Sequence, residues 1–96
     1  MTANDWFDQG NALALQGNFS GAIDAFEEAI RLDPDYNRAW NNMGFLLRGQ
    51  GRYYEALSAF DRAVEIDPQY TNAWNNRGTT LASLGRYDEA ILACDK

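Results

Sequence analysis

A 34-residue internal repeat is the feature that most limits how this chain can fold. Trp6, Trp40 and Trp74 align when the sequence is shifted by 34 positions. The other aligned sets are Gly10/Gly44/Gly78, Leu13/Leu47/Leu81, Gly17/Gly51/Gly85, Phe19/Tyr53/Tyr87, Ala22/Ala56/Ala90 and Pro34/Pro68. Fixed periods of this length are typical of repeat proteins, in which each unit packs mainly on its neighbours.

Each repeat unit is predicted to form two helices. In the second unit Trp40, Gly44 and Leu47 follow the i, i+4, i+7 spacing of one helical face. The second helix should stop before Asp67, because Asp67 precedes Pro68 and the residue before a proline is disfavoured in the helical region. The predicted helices are 4–16, 20–32, 37–50, 54–66, 71–84 and 88–96.

Small residues at matching positions indicate that the two helices of a unit form a close hairpin. Gly44 on the first helix and Ala56 on the second permit close approach, and Phe60 fills the space around their contact. One such hairpin leaves an outer apolar face uncovered, and a neighbouring hairpin must cover it. The predicted fold is therefore an all-α solenoid.

The chain resembles the tetratricopeptide repeat family. The family pattern of tryptophan, glycine, large residue, alanine, aromatic residue, alanine and proline is met twice: by Trp6, Gly10, Leu13, Ala22, Phe26, Ala29 and Pro34, and by Trp40, Gly44, Leu47, Ala56, Phe60, Ala63 and Pro68. The resemblance implies a right-handed α-solenoid of antiparallel helix hairpins over 1–96, with about two and three-quarter repeats. The expected units are repeat 1 over 3–36, repeat 2 over 37–70, and repeat 3 over 71–96, truncated in its second helix. We expect the chain to be a piece of a longer array.

Composition argues against several classes of function. The chain has 96 residues, a net charge of −6 and no histidine, which disfavours binding to nucleic acid or an anionic membrane. A single cysteine, Cys94, excludes an internal disulfide and is interpreted as a small core thiol. No metal-ligand cluster or phosphate-binding loop is evident, so we expect no cofactor, no metal site and no enzymatic activity. The absence of a signal sequence favours a cytoplasmic location.

One stripe on the first helix of each repeat remains after the packing positions are assigned. In repeat 2 packing uses Ala39, Trp40, Met43, Gly44, Leu46 and Leu47, which leaves Arg38, Asn41, Asn42, Phe45, Arg48 and Gly49. In the tetratricopeptide repeat family this stripe lines the concave groove. The groove floor is therefore expected to carry amides and hydroxyls, with an apolar patch near Phe7, Leu15 and Phe45. The predicted peptide-binding residues are Asn42, Asn76, Asn41, Asn75, Asn11, Arg38, Phe45, Asn72, Thr79 and Phe7.

The paired asparagines in "AWNNMG" and "AWNNRG" carry the sharpest functional prediction. Side-chain amides both donate and accept hydrogen bonds, which suits the backbone of an extended peptide. Asn42 and Asn76 would form a two-rung ladder with Asn41 and Asn75 beside it, similar to the asparagine ladder of the O-linked N-acetylglucosamine transferases. The alternative is that these asparagines are solvated or bridge neighbouring helices.

The carboxylate clamp of the Hsp90 and Hsp70 cochaperones in this family is not expected. Two of its asparagine positions match Asn11 and Asn42, but its three cationic positions fall on Phe7, Asn72 and Asn76. Without cationic side chains, the clamp lacks the charge-assisted hydrogen bonds that supply most of the strength with which it holds a carboxylate.

Three functions are therefore compatible with the sequence. The first is a protein-interaction scaffold that binds a peptide or partner segment in its groove. The second is a self-assembly element whose terminal repeats stack head-to-tail with other copies. The third is the substrate-recruiting arm of a larger enzyme. The net charge lies in repeat 1, and we interpret its acidic residues as a solvated face that keeps the array soluble. The alternative is that this acidic end steers a basic ligand toward the chain.

Overall fold

The computed structural model describes the backbone of residues 1–94 and the side chains of residues 1–86. The described backbone forms five helices and no strand: α1 (Ala3–Leu15), α2 (Phe19–Leu32), α3 (Asn37–Gly49), α4 (Tyr53–Ile66) and α5 (Thr71–Cys94). α1 and α2 form one antiparallel hairpin, α3 and α4 form a second, and α5 packs mainly on α4. The predicted all-α helical repeat fold is confirmed, and the first four helices begin and end within one residue of their predicted bounds.

The helix ends follow from local side-chain chemistry. At the start of α1 the Thr2 hydroxyl accepts from the Asp5 N–H, and the Asp5 carboxylate accepts from the Thr2 N–H. That backbone hydrogen bond lowers the pKa of Asp5, and the hydroxyl of Thr2 adds to the effect. The turns after α1 and α3 use Gly17 and Gly51, whose φ angles of 80° and 78° suit glycine.

Each hairpin is closed by a phenylalanine ring that packs on a glycine. A Cβ added to Gly10 would lie 2.6 Å from Cε1 of Phe26, and one added to Gly44 would lie 2.8 Å from Cε1 of Phe60. Both rings are essentially fully buried. The glycines are therefore required because any side chain there would overlap the facing ring.

Tryptophans tie the second and third repeats to the proline that precedes each of them. The indole Nε1 of Trp40 donates to the carbonyl of Pro34 over 2.9 Å, and Nε1 of Trp74 donates to the carbonyl of Pro68 over 2.6 Å. Ala39 and Ala73 beside them are fully buried, as expected for positions where a neighbouring helix approaches closely.

The third repeat departs from the prediction. The predicted helices 71–84 and 88–96, with a turn at Gly85, are wrong over the described backbone, because α5 continues through Gly85 to Cys94. The position of Phe26 and Phe60 is held here by Cys94, and among the described atoms none lies within 4 Å of a Cβ built on Gly78. Without an aromatic ring at that position, a turn at Gly85 would bury less apolar surface, so helical hydrogen bonding continues. The interpretation of Cys94 as a core thiol lies outside the described side chains.

The continuous helix leaves one face of α5 open. Trp74 and Leu81, which correspond to the packed Trp40 and Leu47, are 45% and 42% exposed. None of the helices in the described residues is both long enough and apolar enough to cross a membrane.

Gly44→Ala should destabilise the protein by about 1–2 kcal/mol. Overpacking against the buried Phe60 ring costs about 1–3 kcal/mol, while replacing a helical glycine by alanine recovers only up to about 1 kcal/mol. Gly49→Ala is the matched control, because a Cβ there meets no atom within 4 Å. Urea unfolding followed by circular dichroism measures both variants, and equal stability of the two would contradict the ring-on-glycine contact.

The continuity of α5 is tested by Gly85→Ala. In a helix interior this substitution should raise the free energy of unfolding by about 0.5–1 kcal/mol. The same substitution at Gly51, with its positive φ, should lower it by about 1–2 kcal/mol. If thermal unfolding shows that both alanine variants are destabilised alike, residue 85 lies in a turn and α5 is not continuous.

Candidate functional site

The first helices of the repeats contribute to an open groove of about 450 Å³. Its lining comes from α1, α2, α3 and α5: Asn11, Ala14, Leu15, Phe19, Phe26, Asn41, Asn42, Phe45, Leu46 and Asn76. The structure thus brings together five of the predicted binding residues, namely Asn11, Asn41, Asn42, Phe45 and Asn76.

The asparagines in the groove bridge neighbouring helices. Nδ2 of Asn42 on α3 donates to Oδ1 of Asn11 on α1 over 3.0 Å. Nδ2 of Asn76 on α5 donates to Oδ1 of Asn41 over 3.1 Å. The bridging role, one of the alternatives for these residues, is therefore present in the structure.

Asn41 lines the groove but is more buried than the sequence indicates. Only 6% of its surface is exposed, so the expectation that the asparagines avoid the packing faces is wrong for this residue. Asn41 lies where α3 contacts α5. Its Oδ1 accepts the hydrogen bond from Asn76, so the buried amide has a partner there. Asn41 reaches the groove as part of its floor rather than as a side chain beside a ladder.

The bridged amides keep hydrogen-bonding capacity toward the groove. A side-chain amide has two N–H donors and a carbonyl oxygen with two lone pairs. Each bridge uses one N–H of the donor, Asn42 or Asn76, and one lone pair of the acceptor. The bridges therefore orient the amides and leave groups that can bond to a ligand.

One wall of the groove is apolar and open to solvent. Leu15 is 90% exposed, Phe45 is 55% exposed, and Phe19 is also exposed. Leu15 and Phe45 belong to the predicted apolar patch. Phe19 is not among the predicted groove residues, because its alignment with Tyr53 and Tyr87 indicates only a position of the repeat pattern.

Phe7, the third member of the predicted patch, is not part of the groove. It is buried, with its ring centroid 4.9 Å from that of Tyr36 and 5.8 Å from that of Phe26. The guanidinium of Arg38 lies 5.3 Å from the Phe7 ring centroid and covers it. Phe7 is a core residue because the start of α3 packs over it.

The remaining predicted residues lie elsewhere. Arg38 and Asn72 line a separate hollow of about 370 Å³ with Asn37, Asp67, Gln69, Tyr70 and Thr71. Burial raises the pKa of Tyr70, although the positive charge of Arg38 and a hydrogen bond with Asn41 oppose the shift. Asn75 and Thr79 are exposed, and the Thr79 hydroxyl donates to the Asn75 carbonyl over 3.0 Å. Neither lines the groove or this hollow.

Arg48 is held at the edge of the groove by two of its lining residues. Its Nη1 donates to the backbone carbonyl of Asn76 over 3.2 Å. Its guanidinium carbon lies 5.2 Å from the ring centroid of Phe45 and 6.0 Å from that of Phe60, within range of a cation–π interaction. The sequence placed Arg48 in the stripe but not among the binding residues.

The groove has the chemistry of a binding surface. Amides form its floor, exposed apolar side chains form one wall, and none of the described side chains that line it, all within residues 1–86, is titratable. Over the described part of the chain, no group of three or more histidine, cysteine, aspartate or glutamate side chains is arranged to hold a metal ion.

Solved structures with the same fold include two of MamA. Each is 27% identical to this chain, covers 94% of it and superimposes with a TM-score of 0.85. This chain spans 53% and 49% of those MamA chains, about half their length.

A third solved structure contains a bound peptide. The second TPR of Spaghetti (RPAP3), bound to the HSP90 peptide SRMEEVD, is 25% identical to this chain with a TM-score of 0.86. The match covers 99% of this chain and 88% of that one. No curated protein sequence matches this chain.

A family model settles the relationship. The tetratricopeptide repeat model matches residues 7–71 and again residues 43–96, which together leave only the first six residues unmatched. With the hairpins and the aligned tryptophans, glycines and prolines described above, this chain belongs to the tetratricopeptide repeat family.

Proposed function

We propose that this chain is a non-enzymatic interaction scaffold that binds an extended segment of another protein in the groove. The observation that carries the proposal is the exposure of the groove's apolar wall: Phe45 keeps 55% of its surface in contact with water although it lies beside a concave floor. Proteins of this family are generally non-catalytic interaction modules, and the second TPR of Spaghetti binds a peptide.

The amides and the apolar wall would contribute differently to binding. Asn42 and Asn76 offer donors and acceptors to the backbone of an extended peptide, whatever its sequence. Leu15, Phe19 and Phe45 would bury an apolar side chain of the ligand, which contributes about 1.5–3 kcal/mol. Together these contacts fit micromolar binding, about −8 kcal/mol.

The asparagine-ladder hypothesis takes a modified form. Asn42 and Asn76 occupy equivalent positions, and each already bridges two helices. A ligand would add hydrogen bonds to amides that the fold has oriented. Substitution of either asparagine would weaken the fold as well as binding, so a groove residue without a bridging bond makes the cleaner test.

Phe45→Ala should weaken peptide binding at least tenfold, because it removes an exposed aromatic ring of the wall while leaving the asparagine bridges intact. Leu32→Ala is the matched control, since Leu32 is an exposed apolar residue at the end of α2 that does not line the groove. A peptide selected by display against the wild-type protein would be titrated by calorimetry into all three proteins. Equal affinity for the Phe45 and Leu32 variants would exclude the groove as the binding site.

Head-to-tail self-assembly is a second candidate, favoured by the open face of α5. Trp74, Gly78 and Leu81 on α5 correspond to residues of α3 that face α4. A helix of another copy could pack on this open face of α5. A heterologous contact of this kind adds one copy after another, so the assemblies would lengthen as the protein concentration rises.

Light scattering over a concentration series tests that candidate. The mean mass should rise with concentration for the wild type and stay at the monomer value for Leu81→Asp, which places a charge on the open face. Thr79→Asp adds the same charge on a different face of α5 and should behave as the wild type. A monomeric wild type at all concentrations would refute self-assembly.

A further inference from the structure

Arg48 is a charged side chain that contacts residues of the groove. It contacts Phe45 and Asn76, which both line the groove, through a cation–π interaction and a hydrogen bond. The other groove residues are amides and apolar side chains, so the local field at this edge is set by the guanidinium.

The guanidinium is fixed in position and keeps its charge free for a ligand. Among the described side chains, ion pairs are formed by Arg31, Arg52, Arg62 and Arg77, and Arg48 forms none. One of its five N–H donors is used by the Asn76 carbonyl. A half-buried guanidinium held over an aromatic ring loses little further freedom when it binds a carboxylate.

We propose that Arg48 makes the groove selective for peptides in which a carboxylate lies next to the bulky apolar side chain. The apolar side chain would pack on Leu15, Phe19 and Phe45, and the carboxylate would accept hydrogen bonds from Arg48. This inference rests on the proposed function, because it assigns the ligand class of the same groove. Arg48 is then the residue that determines specificity, whereas the amides bind backbone of any sequence.

The acidic net charge of the chain does not cancel this preference. The charge of −6 would repel an acidic ligand at long range, but salt screens exposed charges beyond about 8 Å at physiological ionic strength. The ligand carboxylate would contact Arg48 directly, while the described residues that line the groove include no acidic side chain. The short-range, charge-assisted hydrogen bond therefore dominates the selectivity.

The test uses acetylated, amidated peptides with a central leucine, phenylalanine or tryptophan. The next position is aspartate, asparagine or lysine, and all other positions are glycine or serine. Blocked termini ensure that the aspartate is the only carboxylate. Fluorescence polarisation measures their affinities for the wild type, for Arg48→Gln and for Arg31→Gln. Arg31 lies on α2 in an exposed ion pair with Glu28 and does not line the groove, so its variant removes the same charge outside the proposed site.

The wild type and Arg31→Gln should bind the aspartate peptides about tenfold more tightly than the asparagine peptides, and the lysine peptides most weakly. Arg48→Gln should bind aspartate and asparagine peptides equally, with unchanged helicity by circular dichroism. If peptides bind without a preference for aspartate, or if Arg48→Gln keeps that preference, the inference is wrong and the proposed function stands. If none of the peptides binds the wild type, both are overturned.

Discussion

The fold depends on the contact between a phenylalanine ring and a glycine backbone inside each hairpin. Phe26 on Gly10 and Phe60 on Gly44 fill a gap that has no room for a Cβ atom. The contact sets the distance between the two helices of a repeat, and hence the position of the first helices that line the groove. Where that aromatic residue is replaced by Cys94, the described backbone shows no hairpin, and α5 runs on as one helix.

The groove is built from residues that also hold the repeats together. Asn42 and Asn76 occupy equivalent positions but bond to non-equivalent partners, Asn11 and Asn41. The reason is that the position of Asn11 in repeat 1 is occupied by Phe45 in repeat 2, so Asn76 bonds to a different partner on α3. One consequence of this substitution is the exposed Phe45 ring that forms the apolar wall.

The repeat period was sufficient to predict the first four helices, because glycine and proline recur at the ends of helices that bury identical faces. It failed at Gly85, since a turn there depends on what the following segment can bury rather than on the glycine alone. It also failed for Asn41 and Phe7. A stripe assigned from helical spacing does not show which of its residues a neighbouring helix covers, and here α5 covers Asn41 while the start of α3 covers Phe7.

The convergence of groove residues on α3 gives the second repeat a large share of the proposed binding site. Asn41, Asn42 and Phe45 contribute the floor and part of the wall from fewer than two turns of one helix, and Arg48 follows one turn later. α3 is also the helix that bonds through side chains to both α1 and α5. Its orientation is therefore fixed from both sides before a ligand arrives, so little binding energy is lost in ordering the site. In the proposed function, such a groove would discriminate among ligands through the side chains that project from it, Phe45 and Arg48, rather than through movement of the repeats.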